Sequence, residues 1–338
     1  MGQRPVTGRA AVLAIDGGNS KTDVALIGAD GTILGIARGG NSNHQGIGRD
    51  GMVTVLTELV RSAAKEAGVA DNGPVAVRTS ACLAGADIPD EEAELNEMIQ
   101  SLGWSQTTSV VNDTFAVLRA GLEDAGPHWG IGVVCGAGTN CVGVAPDGRT
   151  TRYPALGGIS GDWGGGGELA REALWWAVRA EDGRGPATEL QAAVPAHFGV
   201  ARVEDVTMGL YLGKINYAEL HGLVPVLFAI ADGGDEVARD VVGRQASEIC
   251  VMATVAARRL KLDALPSVPV VLGGSLMTAR DPFLTAEMTD RFATELPMAD
   301  MRIVDVPPVV GAALLGLDYV GASPIAAATL RERARETW

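Results

Sequence analysis

The sequence predicts an α/β protein of two domains, each with a mixed sheet flanked by helices. Three observations indicate this class. The chain has 338 residues, more than one hydrophobic core usually organises. Short apolar runs alternate with stretches of helical period, as in α/β folds. A pattern of three strands with a glycine-rich turn and an Asp-Gly turn occurs twice, which indicates an internal duplication with one copy opening each domain.

The first copy lies near the N-terminus. The apolar run Ala11–Ile15 leads into the polar turn Gly17–Thr22, and a second run follows at Val24–Ile27. An Asp30-Gly31 turn then precedes a third run, Thr32–Ala37. Because Asp-Gly between apolar runs is a strong hairpin signal, we expect an antiparallel three-stranded meander.

The remainder of the first half alternates helix and strand. Apolar residues of Asp50–Gly68 share one helical face, and Gly68 stands where a C-terminal cap is expected. Acidic residues open the helix predicted at Pro89–Gly103, where they suit the helix dipole. The other predicted elements are strands at Val75–Ser80 and Ser109–Val111 and a helix at Thr114–Asp124.

The second copy begins after Trp129 and has the same order of parts. Its strands are predicted at Ile131–Val134, Cys141–Val144 and Arg149–Tyr153, around the turns Gly136–Asn140 and Asp147-Gly148. Beyond it the sequence predicts helices at Glu168–Ala180, Asp235–Leu262 and Pro307–Val320, and a strand at Val268–Leu272.

The two glycine-rich turns are candidate anion sites. Glycines leave backbone N–H groups free to point at an anion, and Ser20, Thr22 and Thr139 add hydroxyl groups. Two such turns facing one cleft would hold a polyphosphate, although either turn alone is equally compatible with a plain hairpin. A P-loop is excluded, because Ser20 stands where its last glycine is required. The Gly-x-Gly-x-x-Gly match at 46–51 follows a polar run rather than a strand, so it is not a dinucleotide fingerprint.

Charge and composition exclude several classes. The net charge is 27 − 41 = −14, without a cluster of lysine or arginine, so neither nucleic acid nor an anionic membrane surface is an expected partner. No apolar run reaches the length of a spanning helix. The four cysteines are scattered without a Cys-x-x-Cys pair, which predicts reduced thiols in the cytoplasm and no zinc site.

Four motifs resemble those of the actin/sugar-kinase/Hsp70 superfamily, in its order. They are similar to its first phosphate loop, connecting motif, second phosphate loop and adenosine motif: Asp16–Thr22, Asn112-Asp113, Gly136–Asn140 and Val271–Ser275. Within the superfamily the chain resembles the BadF/BadG/BcrA/BcrD ATPase group, and its N-acetylglucosamine kinases in particular. That likeness rests on the segments Asn41–His44 and Gly157–Asp162.

The resemblance implies two ribonuclease-H-like (actin-like ATPase) domains with the nucleotide site in the cleft between them. It implies boundaries at 1–117 and 118–321, with the C-terminal helix 322–338 as a candidate part of the first domain. The implied reaction is ATP-dependent, Mg²⁺-assisted phosphorylation of an amino sugar at its 6-hydroxyl, with N-acetylglucosamine as the leading substrate. The oligomeric state is left open, with a homodimer as one candidate because dimers are common in the family.

The resemblance also implies roles for individual residues. Asp113 would be the catalytic base, although an Asp there could instead cap the helix that starts at Thr114. Asp16 would position Mg²⁺. The implied nucleotide-binding residues are Asp16, Gly17, Gly18, Ser20, Lys21, Thr22, Gly136, Ala137, Gly138, Gly273, Gly274 and Ser275. The implied sugar-binding residues are Asn43, Asn112, Asp113, Thr139, Asn140, Gly158 and Asp162.

Two features leave alternatives open. Ala137 stands where these kinases usually carry Thr, and Asp162 also suits a helix start. The sugar could be glucosamine, N-acetylmuramic acid or another hexose.

Other function classes are also open. Other members of the group are ATP-driven activators of a dehydratase or reductase with an iron–sulfur cluster, and a non-catalytic sugar-nucleotide sensor is a third reading. The cysteines fall inside predicted strands or a helix rather than at a shared exposed turn, which disfavours the activator.

Overall fold

The computed structural model describes residues 9–70, 73–126 and 128–338. The meander predicted near the N-terminus supplies three strands of a five-stranded mixed sheet. Its strands are β1 Ala10–Gly17, β2 Thr22–Ile27, β3 Ile33–Gly39, β4 Ala76–Leu83 and β5 Ser105–Asn112, in the order β3-β2-β1-β4-β5. β1, β2 and β3 pair antiparallel, whereas β4 and β5 run parallel to β1. The helices that make these crossovers are α1 His44–Ala67 and α2 Pro89–Ser101.

The second sheet repeats the topology of the first. Its strands are β6 Gly130–Cys135, β7 Thr139–Val144, β8 Thr150–Arg152, β9 Val268–Gly273 and β10 Ala299–Ile303, in the order β10-β9-β6-β7-β8. Its meander is β6-β7-β8, and its added strands β9 and β10 are again parallel to the first strand. The predicted fold class and duplication are therefore confirmed.

Helices fill the long connection between β8 and β9 and flank the second sheet. Those between β8 and β9 are α4 Gly166–Glu181, α5 Leu190–His197, α6 Val203–Tyr211, α7 Leu223–Gly233 and α8 Glu236–Leu260, whereas α9 Ser275–Thr278 and α10 Pro282–Glu295 follow β9. Helices α5, α6, α7 and α10 and strand β10 have no counterpart among the elements predicted from the sequence.

Three further helices join the sheets: α3 Asp113–Gly121, α11 Pro308–Tyr319 and α12 Pro324–Thr337. Leu118 of α3 lies against Gly132 of the second sheet, whereas Gly316 of α11 lies against Val12 of the first. The two helices cross closely, since a Cβ on Gly311 would lie 1.9 Å from the carbonyl oxygen of Ala116. We call the first sheet with α1, α2, α11 and α12 the first lobe, and the second sheet with α3 to α10 the second lobe.

Helix α11 thus packs on the first sheet, although the sequence-based division placed it in the second domain. α12 lies beside it on the same lobe, where the backbone of Ala326 contacts Gly31. The last two helices therefore return the chain to the lobe in which it began. Among the described residues, no helix combines the length and the apolar character needed to cross a bilayer.

Candidate active site

The strands β1, β4 and β5 end side by side at one edge of the first sheet. Gly17 pairs with Leu83, and Leu83 pairs with Asn112, so the three carboxyl ends are level. Asp16, at the end of β1, and Asp113, just after β5, are therefore brought together across β4. Ligands of α/β proteins commonly bind at such an edge.

The two carboxyl groups have perturbed acidities. Asp16 is only 7% exposed, and burial together with the negative charge of Asp113 raises the pKa of Asp16 to about 7. Burial also raises the pKa of Asp113 to about 6. Two acids with raised pKa values at one sheet edge are typical of a functional site.

The first glycine-rich turn joins β1 to β2. The Gly18 N–H donates to the Lys21 carbonyl (2.9 Å), and within the described chain the N–H groups of Asn19 and Ser20 donate to no acceptor. Both of these residues are exposed. The turn can therefore offer two backbone donors to an anion.

Two side chains of this turn, unlike its free backbone N–H groups, already have partners within the chain. Thr22 is fully buried, and its hydroxyl lies 2.7 Å from the Ser42 hydroxyl and 2.8 Å from the Gly40 carbonyl. It is thus engaged within the first lobe. The Lys21 ammonium binds Asp23 at 2.5 Å, but the Lys21 side chain is 47% exposed and has room to turn toward a ligand.

The second turn, Gly136-Ala137-Gly138, is open on its front. Ala137 and Gly138 are exposed, their N–H groups donate to no acceptor in the described residues, and a Cβ on Gly136 or Gly138 would meet no atom within 4 Å. The turn therefore also presents backbone donors to open space.

Glycines from two other segments pack behind the second turn. A Cβ on Gly165 would lie 2.4 Å from the Gly138 Cα, and one on Gly274 would lie 2.4 Å from the Cys135 carbonyl oxygen. Both have positive φ, +82° and +92°. The carbonyls of Gly136 and Ala137 accept from the N–H groups that open α4. The segment Gly273–Ser275 is thus placed against the second turn, and the four-glycine run 164–167 has a packing role that the sequence did not reveal.

Asparagines connect the two lobes beside Asp113. The Asn112 Oδ1 accepts from the Thr114 N–H (3.0 Å), so Asn112 and not Asp113 is the N-cap of α3. The same oxygen accepts from the Asn140 Nδ2 (3.1 Å), at the start of β7. Asn140 directly follows Thr139, which is buried with its hydroxyl 3.4 Å from the Cys135 Sγ. Both glycine-rich turns therefore border Asn112-Asp113.

Asn43 lies on the first lobe near the first turn. Its Nδ2 donates to the Asn19 Oδ1 (2.7 Å), and its Oδ1 accepts from the Gln45 N–H (2.9 Å) as the N-cap of α1. Gly158 lies in a 3₁₀ turn at the surface, Gly157–Ser160, and Asp162 follows the Gly161 cap of that turn. The Asp162 carboxylate accepts from the Ser160 hydroxyl, and no hydrogen bond links Asp162 to the asparagines in the described structure.

Three polar residues at this edge were missed by the sequence analysis: Asp87, Glu92 and Arg152. Asp87 accepts from the Asn112 Nδ2 (3.0 Å), and burial and the charge of Asp113 raise the pKa of Asp87 to about 6. Asp87 could have been found from the sequence, because it lies shortly after the buried strand β4, and the strands on either side of β4 end next to Asp16 and at Asn112. The sequence places Glu92 in a helix and Arg152 in a short strand without any indication that they meet.

All four cysteines are free and buried: Cys82, Cys135, Cys141 and Cys250. Burial raises the pKa of the Cys135 thiol to about 11 and that of the Cys250 thiol to about 12. Protonated, buried thiols are poor metal ligands. In the described residues no group of three or more His, Cys, Asp or Glu side chains could hold a metal ion by itself.

Two sheets of one topology, with a glycine-rich turn of each bordering the same pair of carboxyl groups, define the class of two-lobed, actin-like ATPases. The chain belongs to the BadF/BadG/BcrA/BcrD ATPase family, whose sequence profile matches residues 13–316.

Two characterised relatives are sugar kinases. The chain is 26% identical over 314 residues to the N-acetyl-D-glucosamine kinase of Dictyostelium discoideum, covering 90% of this chain and 97% of that protein. It is 28% identical over 265 residues to the N-acetylmuramic acid/N-acetylglucosamine kinase of Clostridium acetobutylicum, covering 78% and 84%.

Solved structures share the fold. A protein from Chromobacterium violaceum, whose proposed activity is that of an N-acetylglucosamine kinase, superposes with a TM-score of 0.68 at 24% identity, covering 91% of this chain and 99% of that one. A ROK family glucokinase from Streptomyces griseus, in complex with glucose and AMPPNP, has a TM-score of 0.53 at 15% identity, covering 91% and 98%.

Proposed function

We propose that this protein transfers the γ-phosphoryl group of ATP to the 6-hydroxyl of an amino sugar, with N-acetylglucosamine as the leading substrate. One observation carries the proposal: the Asp113 carboxyl lies beside Asp16, at the place that both glycine-rich turns border. The family and the two characterised relatives support the reaction class.

The two turns would hold the triphosphate from opposite lobes. Free N–H groups of Asn19 and Ser20 on one side and of Ala137 and Gly138 on the other are the donors that phosphate oxygens accept. Because these donors belong to the backbone, the alanine at position 137 keeps an N–H for the phosphate although it lacks a hydroxyl. Gly273–Ser275, packed behind the second turn, would line the adenosine.

Asp113 would accept the proton of the sugar hydroxyl. With a pKa of about 6 it is mainly ionised at neutral pH, yet basic enough to take a proton as the oxygen attacks phosphorus. Asn112 fixes the start of α3 and leaves the neighbouring carboxylate free for this task. Phosphoryl transfer requires chiefly positioning and charge neutralisation, which this arrangement supplies.

The residues present fit a magnesium ion. Asp16 is a buried carboxyl group whose charged form is disfavoured by Asp113, so a cation beside it would relieve that repulsion. Mg²⁺ usually binds one or two carboxylates together with water and substrate phosphates, and it would neutralise charge on the transferring group. Asp16 would hold it, through water.

The sugar would lie against the amides of Asn43, Asn112 and Asn140 and the hydroxyl of Thr139. Carboxamides suit this role because they donate and accept hydrogen bonds at once, as sugar hydroxyl groups do. Gly158 and Asp162 would reach the sugar from the surface turn of the second lobe.

A coupled ADP-release assay tests the proposal. The panel is N-acetylglucosamine, glucosamine, N-acetylmuramic acid and glucose, with ATP and Mg²⁺ and with a sugar-free blank. We expect sugar-dependent ADP release, strongest with N-acetylglucosamine, and a product phosphorylated at the 6-position by ³¹P NMR. ADP release that no sugar stimulates would refute the kinase reading, and a preference for another sugar would replace the substrate.

A further inference from the structure

Glu92, in the first turn of α2, holds two groups that belong to different parts of the molecule. Its Oε1 accepts from the Asn112 N–H at 3.0 Å. Both of its carboxylate oxygens also accept from the Arg152 guanidinium, at 2.7 and 3.0 Å. Arg152 ends β8 in the second lobe, so a single side chain joins the lobes and the residue directly before Asp113.

The geometry of this contact makes it strong. A bidentate arginine–carboxylate pair fixes both partners in one plane, and its charge-assisted hydrogen bonds are about twice as strong as neutral ones. The Arg152 and Glu92 side chains are only 22% and 20% exposed. Solvent therefore screens this pair less than the exposed pairs elsewhere on the chain, such as Arg149–Asp147, where both side chains are more than half exposed.

A second bridge reaches the same residue. The Asn112 side chain donates to Asp87 of the first lobe and accepts from Asn140 of the second. The bond from Asn140 crosses between the lobes, and the Glu92 carboxylate that accepts from the Asn112 N–H is itself bound by Arg152 of the second lobe. Asn112 is also the N-cap of α3, so its orientation sets the direction in which Asp113 enters the cleft.

We propose that Glu92 and Arg152 are positioning residues that couple the approach of the lobes to the placement of Asp113; this rests on the proposed function. When the lobes are together, Arg152 holds the Glu92 carboxylate against the Asn112 N–H, and the first turn of α3 is fixed. When they separate, Glu92 loses its partner and Asn112 loses Asn140. The base would then be aligned only around a bound sugar and nucleotide, which protects ATP from hydrolysis in an open cleft.

The test compares Glu92→Gln, Arg152→Met, Arg152→Lys and a matched control, Arg149→Met. The control, Arg149→Met, removes another arginine of the same hairpin. Its ion pair with Asp147 is exposed and lies within one lobe. We expect Arg152→Met and Glu92→Gln to lower kcat about tenfold or more, as a small displacement of a reacting group does. The Kd for ATP and the Tm should stay near the wild-type values. Arg152→Lys, which keeps the charge without the planar fork, should fall between Met and wild type.

A charge exchange, Glu92→Arg with Arg152→Glu, separates two explanations. It rebuilds an ion pair between the lobes but leaves the Asn112 N–H facing a guanidinium that cannot accept. We expect kcat to stay low. Recovery of wild-type kcat would overturn the proposal, because the pair would then act only as a link between lobes. Wild-type kcat in Arg152→Met, or a loss of kcat that follows a loss of Tm in every variant, would also overturn it.

Hydrogen exchange gives a readout independent of turnover. We expect the amides of residues 112–114 to exchange faster in Arg152→Met than in Arg149→Met or wild type. If no sugar stimulates ADP release but this exchange difference is present, the proposed function fails while the coupling stands. If turnover is present and exchange is the same in all variants, the coupling fails while the proposed function stands.

Discussion

Asp113 is the first residue of α3, one position after the residue that caps the helix. The cap is the Asn112 carboxamide, so the Asp113 carboxylate is not occupied by the task that Asp most often performs at a helix start. Its negative charge lies close enough to raise the pKa values of both Asp16 and Asp87. A carboxylate so placed, and relieved of capping, can serve a ligand.

We expect Asp113→Asn to lower kcat by about 10²–10⁴-fold, the usual effect of removing a general base. Asn has nearly the same shape but cannot accept the proton, so the Kd for ATP should change little. Steady-state kinetics and calorimetric ATP binding measure the two quantities. Asp147→Asn, at an exposed hairpin turn, is the control and should keep full activity. A variant Asp113→Asn with more than a tenth of the wild-type kcat would contradict the role.

Asp16 gives a prediction about stability and pH. Its pKa rises from an ordinary 3.8 to about 7 on folding, so the folded chain binds this proton more tightly than the unfolded chain does. The associated stability is present below pH 4 and is lost as the pH rises through 7. Without nucleotide and Mg²⁺, we therefore expect Asp16→Asn to be more stable than wild type at pH 8, by at most roughly 4 kcal/mol. The difference should shrink toward pH 4.

Urea unfolding at pH 5 and pH 8 measures this difference. Asp147→Asn again serves as the control, because hydrogen bonds from Arg149 lower the pKa of Asp147 and its loss should bring no gain at pH 8. Equal stabilities of wild type and Asp16→Asn at pH 8 would show that the Asp16 carboxylate is not destabilised in the folded chain.

At the scale of elements, the second turn has open space on one side, next to Gly138, and is closely packed against Gly165 on the other. A Cβ on Gly138 meets nothing within 4 Å, whereas a Cβ on Gly165 would lie 2.4 Å from the backbone of Gly138 and Gly165 has positive φ. We expect Gly138→Ala to fold normally and to weaken ATP binding about tenfold, because its methyl group occupies the space proposed for phosphate. Gly165→Ala should lower the free energy of unfolding by about 1–3 kcal/mol or more.

Thermal unfolding and calorimetric ATP binding, carried out on both variants, distinguish the two effects. The important result is the contrast: loss of affinity without loss of stability in Gly138→Ala, and loss of stability in Gly165→Ala. Unchanged ATP affinity in Gly138→Ala would mean that the open face of the turn is not where phosphate binds.

The sequence predicts well those elements that are specified by a few neighbouring residues. Asp30-Gly31 and Asp147-Gly148 specify their hairpins within a few residues, so both meanders follow from short stretches. The helices between 190 and 233 do not, since α5 and α7 are apolar and short and lack a clear polar face. Buried helices of this kind cannot be distinguished from strands by periodicity alone.

The site residues also divide into those that the sequence predicts and those that only the fold brings together. Asp16, Asp113 and the two turns are recognisable because each motif is contiguous. Glu92 and Arg152 are 60 residues apart and meet only through the placement of two separate elements, a helix of one lobe and a strand of the other. Likewise, Thr22 reads as a phosphate ligand in the sequence, but the fold engages its hydroxyl with Ser42. Long-range contacts of this kind follow from tertiary structure and not from local pattern.

At the scale of the whole molecule, two crossed helices, α3 and α11, pack the lobes against each other. α3 packs on the second sheet and α11 on the first, and Gly311 lets them approach to backbone contact at Ala116. Around this crossing, α3 carries Asp113 at its first turn. The distance between the sheets and the position of the base are therefore set by the same contact.

Gly311→Ala tests that arrangement. Its methyl group would meet a carbonyl oxygen at 1.9 Å, and backbone on both sides cannot move aside as a flexible side chain can, so the helices must separate. We expect the free energy of unfolding to fall by about 1–3 kcal/mol or more, with a parallel loss of kcat because α3 shifts relative to Asp16. Gly233→Ala is the matched helical control: its Cβ meets nothing, and it should be neutral or slightly stabilising. Urea unfolding and kcat are measured on both variants, and a Gly311→Ala variant with wild-type stability and wild-type kcat would show that the crossing does not set the relation between the lobes.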